Sequence, residues 1–419
     1  MIRPIKLKGG ALYIAIIISI LISVVLTLFI VLAYHNIQTI QVQSSISQLE
    51  LSLESGFELS KSSYFTKENQ NRWQKIPYNN DSIIIKKLPW GCFQLISVSA
   101  KNAHHHLHKT GLFGGAATTD TALMVSEQDK SIGLAGKIKF SGMCYLPKAG
   151  IKTAYIEGTS FSDLNMLRPF IKLAPNTIPA IDETFLKDIA FIQSELNQRN
   201  DSLIDFIPDV LNNSFKQKTL VIQQSSISLN NQTLSNNIKL IAANTITIDN
   251  NCQLNNILLI ARKIIFKKGF KGIVHAMAKD SIITEDECEF NYPSSFCTYN
   301  SNTGISNNNI IKGVFFGETC KFQGSIIAAN NKESSYKSLV KLNKQFQLIG
   351  SAYSSNYCDV QGNIYGTIIC SSVLLQTPSA VYENHLLNCL LDPKKYGTHL
   401  VIADWFTTKQ KQYVCAKWF

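Results

Sequence analysis

Ala243-Asn-Thr-Ile-Thr-Ile248, Ala261-Arg-Lys-Ile-Ile-Phe266 and Ala278-Lys-Asp-Ser-Ile-Ile283 repeat one pattern, with starts 18 and 17 residues apart. A second register runs between them. Cys252-Gln-Leu254 precedes Asn256-Ile257, Phe270 precedes Gly272-Ile273, and Cys288-Glu-Phe290 follows. Cys320-Lys-Phe322-Gln-Gly324-Ser-Ile326 and Cys358-Asp-Val360-Gln-Gly362-Asn-Ile364 continue it. Cys252, Phe270 and Cys288 stand 18 residues apart; the next steps, 32 and 38, read as two periods each with insertions. A period of roughly 18–20 residues, made of short β-branched runs and Asn or Gly corners, is what a parallel β-helix requires. Each coil supplies two or three short strands, and like side chains stack on like. Gly and Asn take the corners where φ must be positive. Asn230-Asn231, Asn236-Asn237, Asn250-Asn251 and Asn255-Asn256 fit such corners and can stack as ladders. Helix-length segments between strands, which a TIM barrel or doubly wound sheet needs, are missing. The expected fold is mainly β, with a right-handed parallel β-helix over residues 218–378.

The repeat decides how the ten cysteines are read. An even number in an oxidising compartment would suggest disulfides. Cys252, Phe270, Cys288, Cys320 and Cys358, however, share one equivalent position and are expected as an interior stack of small buried side chains. Strands lie about 4.8 Å apart, so two steps is too far for a disulfide without distortion. Cys288 and Cys297 remain a pair that could close a loop around Tyr292-Pro-Ser.

Residues 379–419 depart from the repeat and are expected as a C-terminal cap: a short helix over 381–391, then strands over 400–405 and 412–419. Residues 166–217 read as a linker holding Pro169, Pro175 and Pro179, followed by capping helices. Phe185, Ile189, Ile192 and Leu196, then Leu203, Ile204, Ile207 and Val210, carry helical spacing. Asp182 and Asp201 suit the two helix starts. The helices are expected to cover the open first rung of the coil. Residues 61–165 read as a connector and a β-rich domain, with strand-like runs at 82–87, 92–100, 121–126, 137–144 and 151–156 between Gly and Pro turns. Within it, His104, His105, His106 and His108 form a dense imidazole cluster. Such a cluster is a candidate site for zinc, copper or nickel, set against a solvated loop tip with no Cys or carboxylate nearby.

Ahead of all this, residues 11–34 read ALYIAIIISILISVVLTLFIVLAY, without a charge. As a helix the stretch reaches roughly 36 Å, enough to cross a bilayer core of about 30 Å. Arg3, Lys6 and Lys8 lie in the basic segment 1–10, and no Lys or Arg follows until Lys61. The asymmetry puts the N-terminus in the cytoplasm of a bacterial inner-membrane protein and the bulk of the chain in the periplasm or outside the cell. The competing reading, a cleavable secretory signal, calls for a shorter apolar run and a small-residue cleavage site. Val42, Ile46, Leu49, Leu53 and Phe57 then recur at steps of three and four, so the helix is expected to continue, amphipathic, over residues 35–60.

Lys6-Leu7-Lys8-Gly9-Gly10-Ala11-Leu12, followed by an apolar helix that turns amphipathic, resembles the N-terminus of type IV minor pilins and type II secretion pseudopilins. The resemblance implies cleavage after Gly10, with Ala11 as the new first residue. Major pilins mostly carry Glu at the fifth mature position; here it is Ala15, a departure shared with the pseudopilins that cap a filament. A plain signal anchor is the alternative. In the C-terminal half, the Gly-x-Ile echo of Gly324-Ser-Ile326 and Gly362-Asn-Ile364 is similar to the coil pattern of bactofilins and other polymer-forming β-helix proteins, which build scaffolds.

The net charge is +11, spread thinly apart from Lys267–Lys271 and Lys409, Lys411 and Lys417. Without an Arg-rich arm or a basic helix, nucleic acid is not an expected partner; acidic polysaccharide is. Membrane lipid and protein partners in an envelope assembly complete the expected set, with no cofactor. Polysaccharide-cleaving β-helices align carboxylates, or a carboxylate with Arg and Lys, on neighbouring coils. Asp249, Asp280, Asp286 and Asp359 look scattered in sequence, and no Gly-x-Ser-x-Gly, His-Glu-x-x-His or P-loop occurs. The expected function is a non-enzymatic envelope structural or assembly protein; the alternative is a polysaccharide-binding or polysaccharide-cleaving β-helix.

Overall fold

The computed structural model describes residues 10–61, 74–78, 81–117, 120–194, 203–204, 206–300, 311–331, 334, 336–395, 400–403 and 413–419. They divide into two compact units. One holds the described residues up to 61 with 74–85 and 98–108; the other holds 86–97 and the chain from 109 onward.

The first unit is built on a single helix, Gly10–Lys61. Its large apolar side chains from Leu12 to Val42 are exposed, an arrangement that lipid rather than water would solvate. The helix is long and apolar enough to cross a membrane. One turn later its character changes. Leu49, Leu53 and Phe57 are buried, whereas Ile46 is half-buried and Val42 exposed, so packing starts later than the periodicity suggests. Gly56 sits where the helix meets the sheet: a Cβ there would lie 2.5 Å from Val98 Cγ1 and 2.9 Å from Ile83 Cγ2. The opposing strand, Asp81–Trp90, pairs antiparallel with Gln74–Tyr78.

The second unit is dominated by a parallel, barrel-like sheet. Ile238–Ile248 pairs with Gln253–Phe266, which pairs with Lys271–Thr284, then Glu289–Asn300, Lys321–Asn330 and Lys337–Gln376. Each partner lies one repeat further along the chain, so Leu240 faces Leu259 and Leu254 faces Gly272. The interior is apolar and aromatic. The rings of Phe266, Phe296 and Phe316 lie nearly parallel, with successive centroids 5.4 and 5.7 Å apart. Asn corners stack as well: Asn236 Nδ2 donates to Asn212 Oδ1 and Asn256 Nδ2 to Asn236 Oδ1. Both Asn236 and Asn256 sit at positive φ, a conformation Asn tolerates.

Four sequence expectations are corrected here. Residues 121–165 do not belong to a separate β-rich domain, and Ile171–Leu173, expected in the linker, is a strand of the same sheet. Thr121–Met124 pairs in parallel with Ile368–Ile369, Met143–Leu146 with Thr121–Met124, and Ile171–Leu173 with Met143–Leu146. Ile132–Ala135 and Lys139–Phe140 pair with His385–Leu387 and Leu390–Leu391. This segment therefore stacks beyond the far end of the repeat, and Leu123, Cys144 and Leu146 share one core with Ile368 and Leu391. Secondly, the described residues of 203–213 form strands, Leu203–Ile204 and Val210–Asn213, because they pair with Leu220–Gln224 and Thr233–Asn236. Thirdly, residues 381–391 are three short strands, not a helix. Fourthly, helix Glu183–Ser194, whose Thr184 N–H is capped by Asp182 Oδ1 at 2.6 Å, covers the flank of the sheet rather than its end. Phe185, Ile189 and Ile192 pack with Ile241, Ile260 and Met277, a face that Trp90, Phe93 and Leu112 also cover. The C-terminal strands Val401–Ile402 and Tyr413–Trp418 do form, antiparallel to residues 111–116.

Candidate functional site

Beyond Ala242, Ala261 and Ala278 the parallel register slips. One irregularity lies between Ala242 and Thr245, the next between Ala261 and Lys263. An extra residue in a strand bends it and re-aims the side chains beside it. Here Ala243-Asn244 of one strand and Lys279-Asp280 of the next but one both stand opposite the single Arg262 of the strand between them. Asn244, Thr245, Arg262, Lys263, Asp280, Ser281, Ile311, Lys312 and Tyr336 line an open groove of about 500 Å³. A shallower hollow shares Lys312 and Tyr336 with it and adds Lys279, Tyr299 and Lys337.

Asp280 organises the groove. Arg262 Nε donates to its Oδ2 and Lys312 Nζ to its Oδ1, each at 2.5 Å. The Lys312 ammonium also lies 3.8 Å from the centroid of the Tyr336 ring, a cation–π contact. Burial works to raise the Asp280 carboxyl, but the hydrogen bonds from Lys312 and Arg262 outweigh it and hold the group below the usual carboxylate range. The same bond raises the Arg262 guanidinium. Arg262, Lys263, Lys279, Lys312 and Lys337 thus face a single carboxylate among the described lining residues. The Asp280 carboxylate is thus ionised and engaged by two cations, and among the described lining residues no second carboxylate stands beside it. The surplus of cationic side chains over carboxylate makes the lining electropositive.

The other sequence-derived sites fall as follows. Gly10 and Ala11 form the first described residues of the long helix; residues 1–9 lie outside the described residues. His104 and His105 occupy the tip of a hairpin, where both backbone N–H groups donate to Asn102 Oδ1. His106 and His108 lie in the following strand, and His106 Nε2 meets Ser99 Oγ at 2.5 Å. Among the described residues, no three His, Cys, Asp or Glu side chains converge to hold a metal ion.

Cys252, Phe270, Cys288 and Cys320 each stand immediately before a strand, and the registers Leu254↔Gly272, Lys271↔Glu289 and Glu289↔Lys321 put them opposite one another. Cys288 and Cys320 are therefore one step apart, not two: the 32-residue spacing is one repeat carrying a long insertion. Cys288 Sγ donates to the Lys267 carbonyl at 3.3 Å and Cys320 Sγ to the Glu285 carbonyl at 3.2 Å. The neighbouring Cys320 thiol, then burial, raises Cys288, and the pair titrates as a unit. Cys358 does not continue the column. Lys321 faces Gln347, so the next place belongs to Phe346, and Cys358 sits beside Cys370. None of the ten cysteines is in a disulfide, Cys288 and Cys297 included.

Of the four Asp residues considered above, only Asp280 is in the groove; Asp359 is fully buried. Sequence reading missed Lys263, Lys279, Lys312 and Tyr336. One signal was available: Arg262 and Asp280 are 18 residues apart, one repeat period, and so must fall on neighbouring strands. The buried His275 is a packing group. Its Nδ1 is 2.9 Å from Ser295 Oγ, and burial, then Lys417, push it down to about 3, so it is neutral. Comparison of the chain with protein-family models, with curated proteins and with solved structures found no match.

Proposed function

We propose that this chain is a single-pass envelope protein that displays a right-handed parallel β-helix outside the membrane and acts by binding and assembly rather than catalysis. The carrying observation is the unbroken helix Gly10–Lys61, bare and apolar along its first half and packed through Leu49, Leu53 and Phe57 along its second. Half in lipid and half against a folded body is the arrangement a pilin-like or pseudopilin-like component of a pilus or secretion assembly uses. The basic segment before the span favours a cytoplasmic N-terminus. The step-by-step parallel register, with each strand facing the one a repeat later, supports the β-helix reading.

Two measurements test this. The protein should stay with the membrane through alkaline extraction, and protease added outside should digest the body; a soluble product would sink the anchor. If the pilin-like reading holds, the mature mass should start at Ala11, and Gly10→Leu should leave the N-terminus uncut. An identical, uncut N-terminus in both forms would leave a plain signal anchor. A second reading, an envelope polysaccharide-binding or polysaccharide-cleaving β-helix, is favoured by the cationic groove. Depolymerisation of pectin-like or alginate-like polymers, lost in Asp280→Asn, would replace the assembly role with the enzymatic one.

A further inference from the structure

We infer that the groove around Asp280 is a binding site for a linear, carboxylate-bearing polysaccharide, gripped along the stacking direction of the sheet by Arg262, Lys263 and Lys312, with Lys279 in the adjoining hollow and Tyr336 in the shared wall. The inference rests on the proposal above that the body stands outside the membrane, where such polymers are met.

The shape comes first. Lining residues are drawn from successive repeats: Asn244 and Thr245, then Arg262 and Lys263, then Asp280 and Ser281, then Ile311 and Lys312, then Tyr336. Neighbouring strands are about 4.8 Å apart, so this row extends over roughly 20 Å. Cations spread along a line suit an extended polymer with regularly spaced charges; a small anion needs donors that converge on one point. The groove is open along its length, which lets a chain enter without threading.

The chemistry follows. Asp280 spends its two oxygens on Arg262 Nε and Lys312 Nζ. It thereby fixes both cations before a ligand arrives, which lowers the ordering cost of binding. Arg262 is engaged through Nε in that pair, lines the groove and has a side chain 64% exposed, which leaves guanidinium surface accessible to a carboxylate of the ligand. Sugar hydroxyls find neutral partners in Asn244, Thr245 and Ser281, and the half-buried ring of Tyr336, one face of which carries the Lys312 ammonium, adds apolar surface to the wall. Five cations against one carboxylate select for polyanions over neutral glycans.

The test measures binding of oligogalacturonate to the full chain in detergent micelles, with dextran of similar length as the neutral comparison. A matched pair of double variants separates a built site from diffuse attraction. Arg262→Gln with Lys263→Gln removes two charges from the groove; Lys267→Gln with Lys268→Gln removes two from a neighbouring corner. The groove variant should bind at least about tenfold more weakly, and the corner variant within about twofold of the parent. Tyr336→Ala, which removes no charge from the groove, should also weaken binding. It guards against misreading a folding defect, and thermal melts of all variants check the same point. The inference is overturned by equal losses in the two double variants, by no loss in either, by dextran binding as well as oligogalacturonate, by an oligonucleotide of equal charge binding more tightly, or by no binding of oligogalacturonate at all. Membrane extraction and N-terminal mass are scored independently, so a failed groove leaves the anchor reading standing and a failed anchor leaves the groove measurement intact.

Discussion

At Gly350 the backbone adopts φ +141°, and a Cβ there would lie 1.9 Å from the Gly324 carbonyl oxygen; Gly324, at φ +140°, stands in the same relation to Ser294. Parallel backbones approach closely here, and only glycine fits. Gly350→Ala must shift two adjoining strands as well as strain its own φ, a loss on the order of 3 kcal/mol or more, read as a lower denaturant midpoint. An unchanged midpoint would mean the strands are not in this register. Asp359 carries a second consequence. It is fully buried, and burial pushes it up to about 6, against the hydrogen bonds of Gln361 Nε2 and the Gln376 N–H and the field of Lys341. An Asp in the unfolded chain titrates near about 3.9. The folded state therefore holds this proton more tightly, and the stabilisation it gives is full below about pH 4 and lost as pH rises through about 6. Between pH 5 and 7 the stability of the parent relative to Asp359→Asn should fall with rising pH, by on the order of 1 kcal/mol. A flat difference would refute the assignment.

At the scale of elements, the long helix was the easiest to read. An uncharged apolar run behind three basic residues, followed by apolar residues at steps of three and four, leaves little choice but a helix. What its pattern left out was Gly56, whose meaning depends on Val98 and Ile83 across the interface. Gly56→Leu should force the helix off the sheet. Amide exchange should speed up over residues 49–60 and stay unchanged over 12–34; equal protection in both variants would contradict the packing described. The repeat was legible too, and its charges follow the same period: Lys267 with Glu285 and Lys271 with Glu289, each 18 residues apart. These exposed pairs contribute under about 1 kcal/mol apiece, so they report register more than stability. Residues 203–213 and 381–391 misled because short strands broken by turns, such as Leu203, Ile204, Ile207 and Val210, can place apolar residues at helical intervals. Pairing with neighbouring strands decides the matter, and that pairing is not written in the local pattern.

For the molecule as a whole, the segment 121–173 has the largest consequence. It extends the parallel stack past Ile368–Ile369 and Cys389–Leu391, so it shields strand edges that would otherwise be open. Deleting residues 121–173 should expose that edge and drive self-association, seen as high-mass species on size exclusion; a monodisperse product would show the edge needs no cover. The groove is also a product of the assembled stack, since Arg262, Asp280, Lys312 and Tyr336 meet only once four successive strands are in register. The amino-acid order alone determined the apolar helix, the period of about 18 and the buried line from Cys252 through Phe270 and Cys288 to Cys320, because each follows from side-chain spacing along a regular backbone. Tertiary structure alone decided that Phe346 rather than Cys358 comes next, that residues from before the repeat close its far end, and which face stays open as a groove. Those outcomes rest on backbone hydrogen bonds between segments up to some 250 residues apart, and any alternating apolar strand can offer such bonds; its partner is selected by the folded whole.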